Sequence, residues 1–426
     1  MSIENWQTVN LQEICTALVN GGTPPTNIQR YWKGTIPWIT GADFSEQKIK
    51  NIRRHITSDA VQKSSTNVVS GGNILLVTRT GVGKIAIAPF DVAISQDITG
   101  IYFKDGIDIC FVYFALQSHM EDLKKLNQGT SINGILKEDF LKCIFQLPTT
   151  AEQRKIAKIL TTVDNLIEKT EALIVKYEAI KQGMMHDLFT RGVDENGRLR
   201  PSYQEAPELY NETVIGWVPK DWIVCRVDDI GSVQLGRQRS PKYQTGNFST
   251  PYLRVANVFD GWIDYSDILE MDFLPNEREI YSVLPGDILL NEGQSIELVG
   301  RSATFLGQSG RYCFQNTLVR FRVYPPNDHK FYQNVLHYWF KMGKFRTVAR
   351  QTTSVAHLGA DRFAGMNIIR PKTEEQKQIA HLMSQKQKTI DCEKRYLEKA
   401  RKIKTALMQD LLTGKVRVES KEGAIM

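Results

Sequence analysis

The chain contains QGTSINGILKEDFLKCIFQLPTTAEQRKIAKIL at residues 128–160 and QTTSVAHLGADRFAGMNIIRPKTEEQKQIAHLM at residues 351–383. These two stretches align without a gap, with Gln128 on Gln351 and Glu152 on Glu375. The same alignment, extended along the chain, places MMHDLFT (184–190) on LMQDLLT (407–413). A single register kept over this length indicates an internal repeat, and each copy of a repeat is expected to form the same structural unit.

The repeat continues upstream, but with gaps. GGNILLVTRTGVGKIAIA, from Gly71, matches PGDILLNEGQSIELVGRSATF, from Pro285. Further upstream, TIPWITGADF, from Thr35, matches TPYLRVANVF, from Thr250, with Thr on Thr and Phe on Phe. The polar loops are where the copies differ most. A duplicated scaffold with divergent loops indicates one task performed on two different targets.

Each copy ends in a stretch with the pattern of a long helix. In the first, Thr149 and Thr150 are candidate N-caps and Glu152 lies in the first turn, where the helix dipole favours an acid. Apolar residues then recur at spacings of three, four and seven, which marks a heptad seam. The predicted seam consists of Ile156, Val163, Leu166, Leu173, Tyr177, Ile180 and Met184 in the first helix and Ile379, Leu382, Ile390, Leu397, Ile403 and Leu407 in the second.

Each of these helices has about forty residues and so a length of roughly 60 Å. A single apolar stripe of this length needs an equally long partner, and the other copy is the obvious one. A pseudo-two-fold relation between the copies would make the pair antiparallel, although the seam alone fixes no direction. The alternative is that each helix packs on its own domain.

The remaining segments are mixed. NILLV, KIAIA, GIYF and TLVRFRV are typical of strands, whereas CFVYFALQSHMEDLKKL and KFYQNVLHYWFKMGKFRTVA each predict one amphipathic helix. We therefore predict an α+β fold of two similar mixed domains joined by two long helices that form an antiparallel coiled coil. The predicted boundaries are a first domain at 1–148, a helix at 149–190, an exposed linker at 191–215, a second domain at 216–371, a helix at 372–414 and a tail at 415–426.

Composition excludes few classes of protein. The 426 residues include 42% hydrophobic residues and carry a formal net charge of +7, which fits a globular protein with a nucleic-acid or other acidic partner. The N-terminus shows no signal-peptide pattern and no run of 18 apolar residues exists, so we expect a cytoplasmic protein. The cysteines are scattered and form no CxxC pair, so we expect free thiols and no metal site.

No catalytic motif stands out from the sequence. An exocyclic-amine methyltransferase would need an Asn/Asp-Pro-Pro-aromatic motif and a Gly-rich cofactor loop, and neither is present. TRTGVGKI, from Thr78, superficially resembles a phosphate loop. It lacks the first Gly, and Ile85 stands where Ser or Thr would bind magnesium. We therefore predict a non-catalytic chain.

Polar loops at equivalent places in the two copies are the candidate functional sites. Arginine and lysine neutralise phosphates, and Arg, Asn and Gln can form paired hydrogen bonds with base edges. The candidate DNA-binding residues are Thr78, Arg79, Thr80 and Lys84 in the first copy and Arg237, Arg239, Lys242, Asn291, Gln294 and Arg301 in the second. Two further residues, Trp38 and Trp262, are expected in the core.

With these motifs in view, the chain resembles the specificity subunits of type I restriction–modification systems. The resemblance rests on PWITGADF and GGNILLVTRTGVGKIAI, on the helix openings LPTTAEQRKIAKIL and RPKTEEQKQIAHLM, and on the helix ends MMHDLFTRG and LMQDLLTGKVRV. It covers almost the whole chain. The loops vary too freely in this family for contact residues to be transferred.

The resemblance implies two target recognition domains held apart by two antiparallel helices. Such subunits read a split, asymmetric target in double-stranded DNA, one half-site per domain. They recruit two methyltransferase subunits and restriction subunits. S-adenosylmethionine, ATP and magnesium would then bind the partners, and this chain would carry no cofactor. The competing hypothesis is a coiled-coil interaction scaffold without direct DNA readout.

Overall fold

A computed structural model describes residues 6–45, 48–49, 52–79, 82–126, 137–240, 244–351 and 354–418. The chain divides into two compact units. Unit 1 comprises Met1–Ala172 and Lys394–Met426, and unit 2 comprises Leu173–Glu393. Each unit therefore contains one part of the first long helix and one part of the second.

Unit 1 is a mixed α/β unit. Its helices are α1 (Leu11–Ile14), α2 (Ser58–Gln62), α3 (Ile109–Leu126), α4 (Lys137–Leu141) and the first part of α5 (Thr150–Thr190), with 3-10 turns at Gln29–Trp32 and Gly41–Asp43. Its strands are β1 (Gln7–Asn10), β2 (Cys15–Asn20), β3 (Ile36–Ile39), β4 (Phe44–Ser45), β5 (Lys48–Ile49), β6 (Arg54–Ile56), β7 (Asn67–Val69), β8 (Ile74–Val77), β9 (Ile85–Ile87), β10 (Val92–Ile94), β11 (Ile98–Phe103) and β12 (Ile144–Leu147). The strand orders are β2-β11-β8-β9 and β6-β3-β10-β7, with the pairs β1-β12 and β4-β5.

Unit 2 repeats this plan. Its strands are β13 (Tyr210–Thr213), β14 (Gly216–Pro219), β15 (Ile223–Arg226), β16 (Gly231–Leu235), β17 (Ser249–Leu253), β18 (Leu269–Asp272), β19 (Ile288–Asn291), β20 (Gly293–Gln294), β21 (Ser302–Thr304), β22 (Cys313–Phe314), β23 (Leu318–Val323), β24 (Arg350–Gln351), β25 (Ala356–His357) and β26 (Asn367–Arg370). Its helices are α6 (Val227–Ile230), α7 (Pro275–Tyr281), α8 (His329–Lys341), α9 (Lys344–Val348), α10 (Ala360–Ala364) and the first part of α11 (Thr373–Leu412), with a 3-10 turn at Pro207–Leu209. The orders β16-β23-β19-β21 and β18-β17-β22 correspond to those of unit 1.

Strand β8 of unit 1 is buried on both faces, which explains its unbroken apolar sequence ILLV. Side chains alternate between the two faces of a strand. Ile74 and Leu76 pack in one core with the residues of α3, and Leu75 and Val77 pack in another with the strands of the second sheet. The equivalent strand of unit 2, ILLN, is buried in the same way. Each unit is thus a sheet with a helix on one face and a second sheet on the other.

The strand pairing corrects one predicted alignment. Trp38 lies opposite Ala93 in the parallel pair of β3 and β10, and Tyr252 lies opposite Cys313 in the parallel pair of β17 and β22. Trp38 therefore matches Tyr252, whereas the identical Thr and Phe residues placed Trp38 on Leu253. That prediction is wrong by a single position, and a slip of this size turns every side chain to the opposite face.

The two long helices are antiparallel within each unit. In unit 1, Lys404 pairs with Asp164 at 2.7 Å and Arg401 with Glu171 at 2.6 Å. In unit 2, the Lys181 ammonium donates to Gln387 at 2.6 Å, and the Val193 N–H, just after α5, donates to Glu375 near the start of α11 at 2.9 Å. The contacts later in one helix fall earlier in the other, which defines the direction. The predicted α+β class, with two similar domains and an antiparallel helix pair, is confirmed.

The predicted seam is only partly buried. Ile156, Ile379 and Ile390 are at most 1% exposed. Leu166, Ile180 and Ile403 are 39%, 39% and 44% exposed, so the prediction is wrong for these three. A straight α-helix drifts by about 20° per heptad relative to a strict seven-residue pattern, so such a stripe turns away from its partner. The other predicted seam residues, Val163, Leu173, Tyr177, Met184, Leu382, Leu397 and Leu407, are half-buried.

Two local predictions also fail. The amphipathic stretch after Asp328 forms two helices, because Gly343 takes a left-handed conformation (φ 71°) between α8 and α9. The segment 191–215 is not an exposed linker. Val193 and Tyr210 are 2% and 4% exposed, and the Arg200 side chain is 12% exposed in ion pairs. This segment belongs to the folded body of unit 2.

Candidate nucleic-acid interface

The loop after β8 offers fewer contacts than its sequence suggested. Thr78 is 8% exposed, and its backbone N–H donates to the carbonyl of Asp97 at 2.8 Å. The Lys84 ammonium donates to the carbonyls of Gly41 (2.9 Å) and Phe44 (3.3 Å), so it holds the neighbouring hairpin. The prediction that Thr78 contacts DNA directly is therefore wrong, because this residue is buried. Arg79 is exposed, and Thr80 lies outside the described residues.

Two predicted contacts of unit 2 are buried. Arg237 is 6% exposed, pairs with Glu277 at 2.8 Å and lies 5.2 Å from the centre of the Phe273 ring. Asn291 is fully buried at the end of β19. The prediction of direct DNA contact is wrong for both, because Arg237 is paired with Glu277 and both side chains are covered by residues distant in sequence. Lys242 lies outside the described residues.

The other three candidates of unit 2 are accessible to different degrees. Arg239 is exposed. Gln294 is half-buried, and its side-chain oxygen accepts the N–H of Ser295 at 3.1 Å. Arg301 is half-buried, with its guanidinium 4.8 Å from the centre of the Phe259 ring. Burial lowers the pKa of Arg301, and the nearby Asp260 charge opposes this effect.

An aromatic side chain that was expected in the core is on the surface. Trp262 is 54% exposed and stacks on Phe259, with ring centroids 4.5 Å apart. Arg301 lies over the same Phe259 ring. The expectation of a core position is wrong for Trp262, whereas Trp38, at 2% exposure, is confirmed as a core residue. A flat stack of this kind can receive a planar group.

A basic surface of unit 1 follows an edge strand that was not singled out in the sequence. Arg53, Arg54 and His55 are exposed in succession at the start of β6. They border an open cleft of about 450 Å³, which is also lined by Thr26, Trp32 and Gly34. The sequence signal was the run NIRRHIT, which carries three basic residues on a short edge strand.

Aromatic rings orient the Arg54 guanidinium of this surface. The Arg54 guanidinium lies 4.6 Å from the centre of the Trp38 ring and 5.9 Å from that of Trp32. The two indoles meet edge to face at 5.0 Å, and the Trp38 N–H donates to the carbonyl of Gly22 at 3.1 Å. Cation–π contacts of this type fix the direction of an arginine without neutralising it.

The neighbouring Arg53 is held by a carboxylate. Its Nε donates to Asp43 at 2.8 Å, while the Arg53 side chain stays 56% exposed. Burial would raise the pKa of Asp43, but hydrogen bonds from Arg53 and Thr40 outweigh it and lower that pKa. The ion pair therefore persists at neutral pH and presents the free side of the guanidinium to solvent.

Unit 2 has a different surface at the equivalent strand. The register of β18 against β17 places Leu269 and Glu270 where unit 1 has Arg54 and His55, and Ile268 precedes β18 as Arg53 precedes β6. Glu270 accepts the hydroxyl of Ser249 at 2.6 Å. The same backbone pairing thus carries a basic edge in one copy and an apolar and acidic edge in the other.

Other chemistry is not evident in the described residues. They contain no group of three His, Cys, Asp or Glu side chains arranged to hold a metal ion. None of the described helices combines the length and apolar character needed to cross a membrane. The six cysteines, all within the described ranges, are free thiols, as expected.

Comparison with known proteins gives consistent results. The family model "Type I restriction modification DNA specificity domain" matches residues 3–178 and 219–402. The specificity subunit of the type I restriction enzyme MjaIX from Methanocaldococcus jannaschii is 29% identical over 275 residues, which cover 62% of this chain and 61% of that protein. That match spans about three fifths of the relative. The MjaVIII specificity subunit of the same organism is 24% identical over 432 residues, which cover 98% and 94% of the two chains.

Two solved structures share the fold. The type I restriction–modification S subunit from M. genitalium aligns with a TM-score of 0.56 and 16% identity over 97% of both chains. A chain from a structure that concerns complex assembly and conformational transition of the type I system aligns with a TM-score of 0.58 and 15% identity, over 97% of this chain and 99% of that one. The family model matches each of the two repeats, and the fold is that of S subunits. The chain therefore belongs to the type I restriction–modification DNA specificity family, which confirms the resemblance seen in the sequence and the prediction of a specificity subunit rather than an enzyme.

Proposed function

We propose that the chain reads a two-part DNA target, one half per unit, and that the basic edge of unit 1 (Arg53, Arg54 and His55) forms part of the interface. The observation that carries this proposal is the pair of exposed arginine side chains, Arg53 and Arg54, beside Trp32 and Trp38. Cationic side chains of this kind neutralise DNA phosphates, and an oriented guanidinium can form two hydrogen bonds with guanine.

The divergence of the two edges supports separate half-sites. Unit 1 presents Arg54 where unit 2 presents Leu269, although both residues occupy the same position in the paired strands. Different side chains on one scaffold would select different bases, so the two halves of the target would differ in sequence. The exposed Arg239 and the stacked Trp262 are the candidate contacts of unit 2.

The long helices provide the proposed binding sites for two methyltransferase subunits. Ile180 in unit 2 and Ile403 in unit 1 are equivalent in the gap-free alignment of the two copies, and both are more than a third exposed. An exposed apolar side chain at the same position in both copies is expected if the same partner protein binds once to each copy. S-adenosylmethionine, ATP and magnesium would be bound by the methyltransferase and restriction partners.

Mutation of these two positions tests the partner sites. Ile180→Glu and Ile403→Glu should each reduce the number of methyltransferase copies that copurify from two to one. Val175→Glu is the matched control, because Val175 is 67% exposed but matches Glu398 in the other copy. Loss of a partner copy in the control, or none in the two variants, would contradict this assignment.

Salt-dependent DNA binding of the reconstituted complex tests the interface. Arg53→Ala should lower the slope of log affinity against log salt concentration by about 1, because one phosphate contact is lost. Arg226→Ala is the control, since both guanidinium groups are 56% exposed and each pairs with an aspartate. An equal slope for Arg53→Ala and the wild type would exclude Arg53 from the interface.

Sequencing of methylated DNA from cells that express the chain with its methyltransferase partner tests the function as a whole. The expected result is one motif with two different halves and a fixed gap. Arg54→Ala should relax one half and leave the other unchanged. Methylation without a sequence preference would instead support the hypothesis that the chain is an interaction scaffold without DNA readout.

A further inference from the structure

Each long helix begins with a buried glutamate that accepts an indole N–H. In unit 1, Trp6 donates to Glu152 at 3.4 Å, and in unit 2, Trp222 donates to Glu375 at 3.0 Å. Glu152 and Glu375 are 4% and 7% exposed. These contacts connect the first turn of each helix to the start of the globular part of the same unit.

Each glutamate is also bound by an arginine from the segment that follows the other long helix. Arg417, five residues after the end of α11, donates to Glu152 at 3.0 Å. Arg200, ten residues after the end of α5, donates to Glu375 at 3.1 Å. Trp6, Glu152 and Arg417 form the triad of unit 1, and Trp222, Glu375 and Arg200 form the triad of unit 2.

The two triads are built alike but completed in a crossed order along the chain. The start of α5 is held by residues beyond α11, and the start of α11 by residues beyond α5. Each triad thus joins the beginning of one helix to the end of the antiparallel helix in its own unit. The Arg417 side chain is 45% exposed and that of Arg200 is 12% exposed, so only the second arginine is enclosed.

Additional donors surround both carboxylates. The Thr149 hydroxyl donates to Glu152 at 2.9 Å, and the Val193 N–H donates to Glu375 at 2.9 Å. Burial would raise the pKa of Glu152, but the hydrogen bonds from Arg417, Thr149 and Trp6 outweigh it and lower that pKa. Glu152 therefore remains charged when folded, and its partners cannot be lost without leaving a buried anion.

The ion pairs along the rest of the helix pair differ in exposure. The pair between Arg401 and Glu171 is a surface pair, with 58% and 32% of the side chains exposed, and such surface pairs contribute little to stability or geometry. The pair between Lys404 and Asp164 is more enclosed, with 13% and 27% exposed, and lies in unit 1 only. The predicted seam of α11 is interrupted by the half-buried Lys386 and Glu393. A slip of one turn would move an arginine about 5.4 Å, beyond reach of its glutamate.

We propose that Arg200 and Arg417 are positioning residues that fix the axial register of the two helices in their units, and through it the gap between half-sites that the subunit accepts. This inference rests on the proposed DNA-reading function. It assigns a role to the C-terminal segment around Arg417, which the sequence predicted only as a tail. It also explains why the segment after α5 is folded instead of extended.

The test uses the full chain in complex with its methyltransferase partner. Methylation rates are measured on DNA with the preferred gap and with gaps one base pair shorter and longer. Arg417→Gln and Arg200→Gln should each reduce the preference for the wild-type gap by about tenfold, the effect of one lost charge-assisted hydrogen bond. Arg417→Lys and Arg200→Lys keep the charge and should recover most of the preference.

Arg401→Gln is the matched control, because it removes a surface ion pair between the same helices and should leave the preference unchanged. A purely structural role would lower the melting temperature of the Gln variants without changing their gap preference, and that result would overturn the proposal. Arg417 is half-exposed, so its substitution leaves no cavity and the chain is expected to fold. A wild-type complex that shows no sequence preference would overturn the DNA-reading function itself, whereas a fixed gap that survives both Gln substitutions would overturn only the register role.

Discussion

Gln153 accepts the backbone N–H of Asp108 through its side-chain oxygen at 2.8 Å, and its side-chain nitrogen donates to the carbonyl of Pro148 at 2.9 Å. Asp108 in turn caps α3 by accepting the N–H of Phe111 at 2.9 Å. One amide therefore connects the first turn of the long helix to the first turn of the helix that covers the sheet. Both residues of the Glu-Gln pair at the start of each long helix thus have a structural role.

Unit 2 repeats this arrangement and offers the first prediction. Gln376 is fully buried, accepts the N–H of Asp328 at 2.9 Å and donates to the carbonyl of Pro371 at 2.8 Å. Gln376→Met should lower the free energy of unfolding of unit 2 by about 3 kcal/mol, because two buried backbone groups lose their partners at about 1–3 kcal/mol each. Gln376→Glu places a buried carboxylate against the carbonyl of Pro371, so its loss relative to the wild type should be at least as large at pH 7 and smaller at pH 4, where the protonated acid can donate. Urea denaturation measures both variants, and a loss for Gln376→Glu that is the same at the two pH values would contradict this account.

Replacement of Asn291 is predicted to stabilise the protein. It is fully buried, and neither atom of its side-chain amide has a hydrogen-bond partner among the described residues. The equivalent residue of unit 1 is Val77. Asn291→Val should raise the free energy of unfolding by about 1–2 kcal/mol, because an unsatisfied polar group leaves the core. Val77→Asn should lower it in unit 1. A less stable Asn291→Val variant would show that the amide is hydrogen-bonded in solution.

Gly192 lies where a side chain has no room. Its φ is +65°, and a Cβ atom would lie 2.2 Å from Oε1 of Glu375 and 2.4 Å from the Trp222 ring. Gly192→Ala should therefore destabilise unit 2 by about 2–4 kcal/mol, from backbone strain together with displacement of the triad. Gly197→Ala is the control, because Gly197 has a φ of +74° with no atom near its Cβ position. Thermal melts that show equal losses for both would exclude the steric effect.

The lowered pKa of Glu152 predicts an acid-dependent contribution to stability. The folded state binds fewer protons at this site than the unfolded state, so the contribution is full above the ordinary value of 4.5 and is lost as the pH falls below it. Glu152→Gln should cost about 1.5–3 kcal/mol at pH 7, the range for hydrogen bonds to charged groups. The difference from the wild type should shrink on acidification to pH 3. A difference that stays constant would contradict the pKa shift.

The helices and the repeat were predictable because both depend on pattern within a continuous stretch. The gap-free alignment rests on residues 128–160 and 351–383, which include the Glu-Gln pairs. The β-strand alignment was not predictable from identity. Two chance matches placed Trp38 on Leu253, whereas hydrogen-bond pairing places it on Tyr252. Pairing partners such as Trp38 and Ala93 are separated in the chain, and only the folded sheet brings them together.

The candidate site was predicted less well, for a related reason. Residue type showed that Arg237 could bind a phosphate, but Glu277, forty residues later, already pairs with it. The exposed arginines of unit 1, Arg53 and Arg54, lie in a stretch whose sequence has only the ordinary pattern of a strand. Their significance appears only when Arg54 is seen beside the rings of Trp32 and Trp38. Burial and long-range pairing thus decide which polar residues remain available.

The two edge strands, β6 and β18, pair with equivalent strands in the same register but differ in surface character. Their exposed residues, His55 in β6 and Glu270 in β18, can therefore be exchanged without changing the sheet. Ile268 and Leu269 pack against the cores of unit 2, so a graft of arginine at these two positions would also have to replace that packing. Under selection, a new preference could arise in one half of the molecule while the other half kept its own. The duplication thus makes the two halves independently evolvable.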